Sequence, residues 1–377
     1  MSLTLQVGGV QYDSFVSASV EIRLDALSNL FSFELSSKDG RPLPFLGGEA
    51  AQVFVDGERV LTGYIERVTA SVDDTSHSVN VAGRDRTSDL VDSTLDSFSD
   101  LVAPISLKTI IERTIKNIGS RLSVIDQANP TDFNPAEDLA SPEPGDNAFG
   151  FIEKLARKRQ VMLTSNGDGN VVITRGSGTV IPGAALIHQV DNRGNNVMSS
   201  EVEYDLSDRF RTYKSPSQLN LVPLDQAGDT TIESIVDQGS ADEARAIDTE
   251  VRAGRQMVLA AESSFSDGQA QKRAEWERNI RKARAAVYSA VVDGYRNQVG
   301  QLWDVNQVVR VLDDYAGLNA MMLVNSVAFG LTEDEGSTTT LSLVRRNAYS
   351  LALAEPSDED EGIGLTTQGE DPEEGEE

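Results

Sequence analysis

The sequence predicts a mainly β fold with an α+β insertion, built from two similar antiparallel β-barrel domains and smaller inserted domains. Apolar and polar residues alternate strictly along 16–24, which is the period of a half-buried strand. Two extended runs joined by a polar turn occur at 61–82, and the same order of elements returns at 321–344. Between these hairpins, from about Pro104, apolar residues recur at helical spacing instead.

The two hairpin signals predict an internal duplication of the β domain. Residues 73–76 have turn chemistry in the first hairpin, and residues 332–337 form an acidic turn with a glycine in the second. A coincidence between two ordinary hairpins is the alternative, because periodicity alone does not separate the two explanations. An offset of 259, with a turn three residues longer in the second copy, aligns Ile65 with Val324, Val68 with Val327, Val72 with Leu331, Val79 with Leu341 and Val81 with Leu343.

The first β domain is predicted to cover residues 1–95. Besides 16–24, strands are expected at 31–35 and 52–55, on either side of a loop that contains several Gly and Pro residues. Strands near 197–215 are expected to complete this domain. The result would be an antiparallel barrel or sandwich.

Residues 96–190 are predicted to form the α+β insertion. Leu107, Ile111 and Ile115 share one face of a helix, and Gly119 follows as its C-terminal cap. After a Pro-rich loop, Asp146 is expected to cap a second helix. The Asn-Gly-Asp-Gly-Asn loop at 166–170 lies between two short apolar runs, which predicts a hairpin.

Residues 191–260 are predicted to form connecting strands and a long polar loop at 225–246, and residues 261–350 a helix followed by the second β domain. The helix is expected to run from Ser266 or Asp267 to about Ala286. Its apolar stripe consists of Trp276, Ile280, Ala283 and Val287. Its other faces carry Lys272, Arg273, Arg278, Arg281, Lys282 and Arg284. These bases would either dock an acidic neighbouring subunit or form an ordinary solvated face.

The charge of the chain is strongly negative. It has 377 residues with 33 basic and 60 acidic side chains, for a formal net charge of −27. Eleven acids and no base follow Leu353, so residues 351–377 are predicted to be a disordered acidic tail. The rest of the chain remains acidic without this tail, which argues against sequence-specific binding of duplex DNA, because such binding favours a basic surface.

Little in the sequence supports an active site. Cysteine is absent, and the two histidines, His77 and His188, show no metal-binding spacing, so neither a metal nor a cofactor is expected. The acid pairs 73–74 and 313–314 are expected to be solvated turn residues, although a glycosidase would need two carboxylates facing a cleft. No apolar run approaches the ~20 residues of a membrane span and no signal pattern opens the chain, so a soluble, cytoplasm-made protein is expected.

Several segments nevertheless resemble one protein family. Leu61 to Ile65 reads LTGYI, 81–92 reads VAGRDRTSDLVD, 161–166 reads VMLTSN, and Asp208-Arg209-Phe210, Asp293-Gly294-Tyr295 and Gly300-Gln301-Leu302-Trp303 follow in order. Together they resemble the baseplate hub protein of Mu-like contractile-tailed bacteriophages over about residues 15–350. The resemblance marks these motif-bearing structural or interface positions: Gly63, Tyr64, Gly83, Arg84, Asp85, Arg209, Asp293, Gly294 and Trp303.

The resemblance implies a structural protein of the virion, without enzymatic activity, that is assembled in the host cytoplasm. Members of the family form a homotrimeric ring in which each subunit carries two β domains of tail-tube type. The implied partners are the tail tube protein, the central spike protein, the baseplate wedge proteins and the tape-measure protein. Phage DNA would pass through the lumen without specific binding, and no membrane insertion is implied.

Three alternatives accompany this interpretation. One is the hub of a related contractile injection system of the secretion or bacteriocin type. Another is a tail-associated cell-wall hydrolase, although the hub-like pattern takes up the chain apart from its acidic tail. The third is a carbohydrate-binding β protein, which the aromatic content of 6% disfavours because few rings are available to stack on sugars.

Overall fold

A computed structural model describes residues 1–36, 45–72, 77–98, 101–134, 141–176, 178–215, 244–259, 267–346 and 348–349. The predicted turn at 73–76, nearly all of the polar loop at 225–246 and the acidic tail at 351–377 lie outside the described residues. Strands dominate, with 47% of the residues in strands and 15% in helices, so the predicted mainly β fold is confirmed.

The N-terminal unit is an antiparallel β structure. Its strands are β1 (Leu3–Val7), β2 (Val10–Tyr12), β3 (Ser17–Arg23), β4 (Leu30–Ser36), β5 (Ala50–Val55), β6 (Glu58–Val72) and β7 (His77–Asp85). The alternation that predicted β3 reflects burial, because Ala18, Val20 and Ile22 face the core while the residues between them are more exposed. The long β6 and β7 pair antiparallel and form the predicted hairpin.

An inserted α+β domain follows and has its own hydrophobic core. Its elements are α1 (Ser88–Asp92), α2 (Leu107–Asn117), β8 (Val124–Asp126), α3 (Ala148–Lys158), β9 (Met162–Ser165) and β10 (Val171–Thr174). The predicted helix–helix–hairpin order is confirmed, and β9 pairs antiparallel with β10. The cap of α3 was wrongly predicted by one residue. The Asn147 side chain accepts a hydrogen bond from Gly150 N at 2.8 Å, whereas the Asp146 carboxylate accepts one from Glu143 N in the preceding turn.

The C-terminal half holds a second β unit, a small sheet and a long helix. In chain order these are β11 (Thr179–His188), β12 (Val197–Tyr204), β13 (Thr212–Ser215), β14 (Ala244–Ile247), β15 (Gln256–Val258), α4 (Asp267–Arg284), β16 (Ala286–Asp293), β17 (Gln307–Asp313), β18 (Leu318–Thr332) and β19 (Gly336–Arg345). Strands β13, β14 and β15 form a separate three-stranded sheet that contacts α4. No helix among the described segments is long and apolar enough to cross a membrane.

Both β units have the same strand order. When the main strands are numbered one to six along the chain, the units consist of β1, β3, β4, β5, β6, β7 and of β11, β12, β16, β17, β18, β19. Across the sheet each unit follows the order 2-3-6-5-4-1. The first strand differs in direction, since β1 is antiparallel to β5 while β11 is parallel to β17. A pairing between β3 and β18 joins the two units into one 13-stranded sheet over a common core.

The ladders of the two long hairpins also agree in detail. In its pairing with the returning strand of the hairpin, each long strand has one bulge, at Glu66 in β6 and at Asn325 in β18, which confirms the offset of 259 for this strand. The prediction for the returning strand was wrong by two residues: Val68 pairs with Val81 and Val327 with Leu341, so the second turn is one residue longer, not three. A two-residue slip keeps every side chain on its face, and alternation alone therefore does not detect it.

Two further predictions about the C-terminal half were wrong. Strand β12 pairs with β16 and β11 with β17, so both belong to the second unit, whereas the sequence placed 179–190 in the insertion and used strands near 197–215 to complete the first unit. Helix α4 ends at Arg284, and Val287 lies in β16 where it pairs with Glu203. The apolar stripe continues smoothly across this boundary, because a buried strand residue and a buried helix residue have the same hydrophobicity.

Candidate functional site

The two halves of the most specific motif lie side by side on β6 and β7. In the ladder Gly63 is opposite Asp85, Tyr64 is opposite Arg84, and Ile65 is opposite Gly83. A Cβ atom at Gly83 would lie 2.1 Å from Tyr64 O, and one at Gly63 would lie 1.9 Å from Arg84 O. Both glycines are therefore required by the close approach of the neighbouring backbone rather than by an unusual dihedral angle.

Arg84 links the bulge of β6 to the end of α1. Its Nε donates to Glu66 Oε2 at 2.8 Å, and its two terminal nitrogens donate to the Asp92 carboxylate. The Asp92 and Glu66 carboxylates raise the pKa of the Arg84 guanidinium, and Arg84 in turn lowers the pKa of the Asp92 carboxyl. This bidentate arrangement fixes the orientation of α1 against the hairpin.

Asp85 is fully buried and holds the inserted domain against the first unit. Its carboxylate accepts hydrogen bonds from Asn29 N and Thr87 N, each at 3.0 Å, and from the Ser165 hydroxyl in β9. Thr87 Oγ1 lies 2.5 Å from both the Asp85 carboxylate and Leu27 O. Burial raises the pKa of the Asp85 carboxyl, although its hydrogen bonds oppose part of that shift.

The predicted hairpin loop of the inserted domain, at residues 166–170, contacts β6. Thr62 Oγ1 donates to Gly167 O at 2.8 Å, and Arg59 forms an ion pair with Asp168. A Cβ atom at Gly167 would lie 2.5 Å from Arg59 O. Together with the Asp85 contacts, this loop gives the inserted domain two hydrogen-bonded attachments to the β6–β7 hairpin.

Arg209 lies at a second junction, between the small sheet and α4. Its guanidinium is buried and donates to Asp248 Oδ2 at 2.7 Å and Glu250 Oε2 at 2.8 Å, and Lys282 also contacts Glu250. Although burial acts in the opposite direction, Lys282 and Arg209 lower the pKa of the Glu250 carboxyl to about 2. The cluster connects the segment after β14 to Lys282 of α4.

The bases of α4 mostly contact their own chain. Glu277 accepts from Arg273 at 3.0 Å and from Arg281 at 2.8 Å, and Arg284 lies 3.6 Å from Asp25. The buried Arg273 does not fit a plain solvated face, whereas Lys272 and Arg284 are exposed, and docking of an acidic neighbouring subunit on them stays a hypothesis. The pairs with Glu277 are i,i+4 contacts along the helix itself, whereas Asp25 is distant along the chain and sequence spacing did not indicate it.

The third motif cluster closes the second unit. Gly294 has a positive φ of 74° and its amide donates to Ser337 O at 2.8 Å, which turns the chain after Asp293. The buried Tyr295 follows, and its carbonyl accepts from Trp303 N at 3.1 Å. The motif residues thus occupy three separate clusters rather than one pocket. Each cluster joins elements of the fold.

Arg296 is a contact residue that the sequence analysis missed. Its guanidinium donates to Glu58 at 2.7 Å and to Asp56 at 3.3 Å, so it ties the second unit to the β5–β6 turn of the first. The sequence feature that could have indicated Arg296 is its position directly after the Asp293-Gly294-Tyr295 segment. The partners are more than 200 residues away along the chain, and sequence spacing therefore did not indicate them.

One constellation has the residue types of a hydrolase but not the geometry. Ser200, His188 and Asp313 lie together, with His188 Nδ1 2.9 Å from Ser200 Oγ and 3.3 Å from Asp313 Oδ2. A catalytic relay needs the serine and the carboxylate on opposite ring nitrogens, whereas both contacts here use Nδ1. Asp313 is buried and also accepts from Tyr288 at 2.8 Å, so the prediction of a solvated turn residue was wrong.

Metal-binding clusters are also absent from the described part of the chain, where no group of three or more His, Cys, Asp or Glu residues could hold an ion. The acid pair at 73–74 and the side chain of His77 lie outside the described residues. The described motif residues at Asp85 and Arg84 connect the first unit to the inserted domain, whereas those at Gly294, Tyr295 and Trp303 connect elements within the second unit.

Comparison with known proteins finds Mu-type baseplate domains in the chain. Three domain families match separate parts of it in order: "Mu phage baseplate assembly protein GpP-like, N-terminal" at residues 2–85, "Baseplate hub protein gp44-like, second domain" at residues 87–175, and "Mu phage baseplate assembly protein GpP, fourth domain" at residues 266–352. The chain is 27% identical over 365 residues to baseplate hub protein gp44 of Escherichia phage Mu, covering 92% of this chain and 89% of gp44.

Solved structures share the fold. The 43 kDa tail protein of prophage MuSo2 from Shewanella oneidensis superposes with a TM-score of 0.76 at 28% identity, over 93% of this chain and 100% of that one. A tail protein from Neisseria meningitidis gives a TM-score of 0.74 at 20% identity, over 92% and 97% of the two chains. The E. coli c3393 protein, a component of the type VI secretion system, shares the fold with a TM-score of 0.53 at 11% identity, over 90% and 76%. Residues 2–85, 87–175 and 266–352 are thus domains of Mu-type baseplate protein families, and the chain as a whole is similar to the baseplate hub proteins of Mu-like contractile-tailed bacteriophages, which are structural components of the phage tail.

Proposed function

We propose that three copies of the chain form a ring that joins a six-fold tail tube to a three-fold central spike. The observation that carries this proposal is the shared strand order 2-3-6-5-4-1 of the two β units. Three chains with two such units each present six nearly equivalent β units. Closed rings are built from repeated heterologous contacts, so this arrangement offers a quasi-six-fold face toward the tube and a true three-fold axis toward the spike.

The tail tube protein and the spike protein are the partners that this ring requires. Baseplate wedge proteins would surround it, and the tape-measure protein would end near it. The names of the relatives support a place in the baseplate, since gp44 of phage Mu is a baseplate hub protein. The proposed location is the tail baseplate of the virion, after assembly in the host cytoplasm.

The negative charge of the chain suits a channel through which DNA passes. A net charge of −27 repels phosphates and disfavours adhesion of DNA to a lumen wall. A neutral or positive lumen in a reconstruction of the assembled ring would contradict this part of the proposal.

The proposed role is structural rather than enzymatic. The geometry at His188 supports this, because both neighbours use the same ring nitrogen. A zymogram with peptidoglycan tests the hydrolase alternative, and clearing by the purified chain would favour it over the structural role. The hub of a related injection system remains the second candidate, favoured by the fold shared with the type VI component.

The central test is the mass of the purified protein by light scattering. We expect a particle of three times the 40.7 kDa chain mass. A stable dimer would contradict the ring, since two chains present four β units and leave the tube symmetry unmatched.

A further inference from the structure

The joint between the two β units uses one edge of β18. Residues of β18 up to Leu323 pair with β17 along this edge, and from Ser326 onward the same edge pairs antiparallel with β3. Within that joint Val327 is opposite Ile22 and Phe329 is opposite Val20. The other edge of β18 pairs with β19. Strand β3 is therefore the point where the first unit adds to the second.

Because the two units share one strand order, β18 and β3 each have an equivalent strand in the other unit, and each of these equivalents has an edge, or part of one, that pairs with no described strand. Strand β6, the equivalent of β18, pairs with β5 up to Tyr64, and from Arg67 to Val72 this edge contacts no strand among the described residues. Strand β12, the equivalent of β3, pairs with β16 and ends the sheet on its other side. An edge with unpaired N–H and C=O groups is a template for another strand.

Among the described residues, the side chains at these two edges are more exposed than their equivalents in the joint. Val327 and Phe329 in the joint are fully buried, whereas their equivalents in β6 are the half-buried Val68 and the exposed Ala70. The strand pairings that lead from each long hairpin to β3 and to β12 give the residue equivalences between these two strands. Ala18 corresponds to Ser200, Val20 to Val202 and Ile22 to Tyr204.

Strand β12 has apolar residues at the positions equivalent to those of β3, but their side chains are more exposed. Val20 is fully buried and Ile22 is 8% exposed, while Val202 is half-buried and Tyr204 is 48% exposed. The Val202 and Tyr204 side chains are therefore accessible to a further strand, as those of Val20 and Ile22 are to β18.

We propose that the open edge of β6 in one copy pairs antiparallel with β12 of the next copy, so that a second copy of this chain is the partner of both edges. This inference rests on the proposed ring and names its contact. The register of the β3–β18 joint, carried over through the two alignments, places Val68 opposite Tyr204, Thr69 opposite Glu203 and Ala70 opposite Val202 of the next copy.

Charge favours this pairing over the alternatives. Glu201, Glu203 and Asp205 line the exposed face of β12 and the residue after it, so two β12 edges would repel each other. Between Arg67 and Ser71, β6 carries one base and no acid, and the transferred register places Arg67 opposite Asp205. Opposite charges across the contact select β6 as the partner of β12.

Engineered disulfides test the register, because the chain has no cysteine of its own. In the joint, Leu24 N donates to Asn325 O at 2.8 Å, so these two residues form a hydrogen-bonded pair. Hydrogen-bonded and non-hydrogen-bonded pairs alternate along an antiparallel ladder, and Glu21 with Ala328, three positions away, is therefore a non-hydrogen-bonded pair. Such pairs have the shorter Cα separation and suit a disulfide. The equivalent pair between copies is Thr69 with Glu203, and both residues are exposed.

The experiment oxidises full-length Thr69→Cys/Glu203→Cys and analyses it under non-reducing denaturing conditions. We expect species of two and three chain masses, at least about fivefold more abundant than in either single-cysteine variant, because directly opposed positions meet disulfide geometry. Thr69→Cys/Glu201→Cys, shifted by two residues, is the register control and should crosslink weakly. Glu21→Cys/Ala328→Cys is the internal control, and its bond should form within one chain without any increase in mass.

The outcomes separate this contact from the ring itself. A wild-type trimer whose double-cysteine variant fails to crosslink would overturn the strand pairing and leave the ring intact. Crosslinked species that continue beyond three chains would support the pairing and contradict the three-fold ring. A chain that stays monomeric and uncrosslinked would overturn both.

Discussion

The Ser165 hydroxyl donates a hydrogen bond to the buried carboxylate of Asp85, across the junction between the inserted domain and the first β unit. The same carboxylate accepts from two backbone amides of the first unit. Because the acceptor belongs to β7 and one donor to β9, the positions of the hairpin and of the inserted domain depend on each other. The Gly-Arg-Asp motif is thus a structural joint.

Asp85→Ala should destabilise the protein by about 3 kcal/mol, because it leaves several buried donors without an acceptor. Urea denaturation measures the change in the free energy of unfolding. Asp334→Ala, in the exposed turn after β18, is the matched control and should stay within about 0.5 kcal/mol of wild type. Equal losses in the two variants would show that the Asp85 joint contributes nothing specific.

Gly83→Ala should also destabilise the protein, by about 3 kcal/mol, since a Cβ atom would lie 2.1 Å from Tyr64 O and 2.5 Å from Phe31 Cζ. Thermal unfolding followed by circular dichroism is the measurement. Gly150→Ala in α3 meets no atom closer than 3.4 Å and should be neutral or slightly stabilising. An unchanged melting temperature for Gly83→Ala would mean that β6 and β7 separate at little cost.

Tyr295→Phe should cost about 1 kcal/mol, because the buried phenol loses the hydrogen bond that it donates to Gly330 O at 3.0 Å. Tyr315→Phe is the control, since this side chain is 69% exposed. Chemical denaturation of both variants provides the comparison. A larger effect at position 315 would contradict the assignment of Tyr295 as a core residue of the second unit.

The free energy of unfolding should decrease at acidic pH, because the Glu250 carboxylate becomes protonated. Its folded pKa of about 2 lies below the ordinary value of 4.5, so its contribution is present above pH 4.5 and is lost as the pH falls toward 2. Because the side chain is partly exposed, solvent screening reduces the expected contribution to about 1 kcal/mol. In Glu250→Gln the decline of the unfolding free energy between pH 5.5 and 3 should be shallower than in wild type.

The control for this pH dependence is Glu335→Gln in an exposed turn. Its pH profile should match that of wild type. If Glu250→Gln also matches wild type, the contact with Arg209 and Lys282 does not hold in solution.

Sequence patterns predicted many of the described elements whose structure depends on residues close together in the chain. The alternation along β3, the glycines of the 166–170 loop and the helical stripe through Trp276 each act over a few residues, and their predictions were confirmed. The bulges at Glu66 and Asn325 show the same for the internal repeat, since the offset read from apolar positions holds along β6 and β18.

Errors arose where contacts join distant parts of the chain. The register of the returning strands was wrong by two residues, because burial alternates with that same period. Asp313 was expected in solvent, yet its neighbours Tyr288 and His188 bury it. The bases of α4 found acids, such as Asp25, that are far away in sequence.

The amino-acid sequence by itself determined the class of fold, the repeat of the long hairpin and the similarity to Mu-type baseplate hub proteins, because these depend on residue periodicity and on short motifs. The tertiary structure alone decided which strands share an edge, that β3 joins the two units, and that the outer edges of β6 after Tyr64 and of β12 pair with no strand within the described residues. Backbone hydrogen bonding along a strand edge is independent of side-chain identity, and sequence patterns therefore leave no direct record of it.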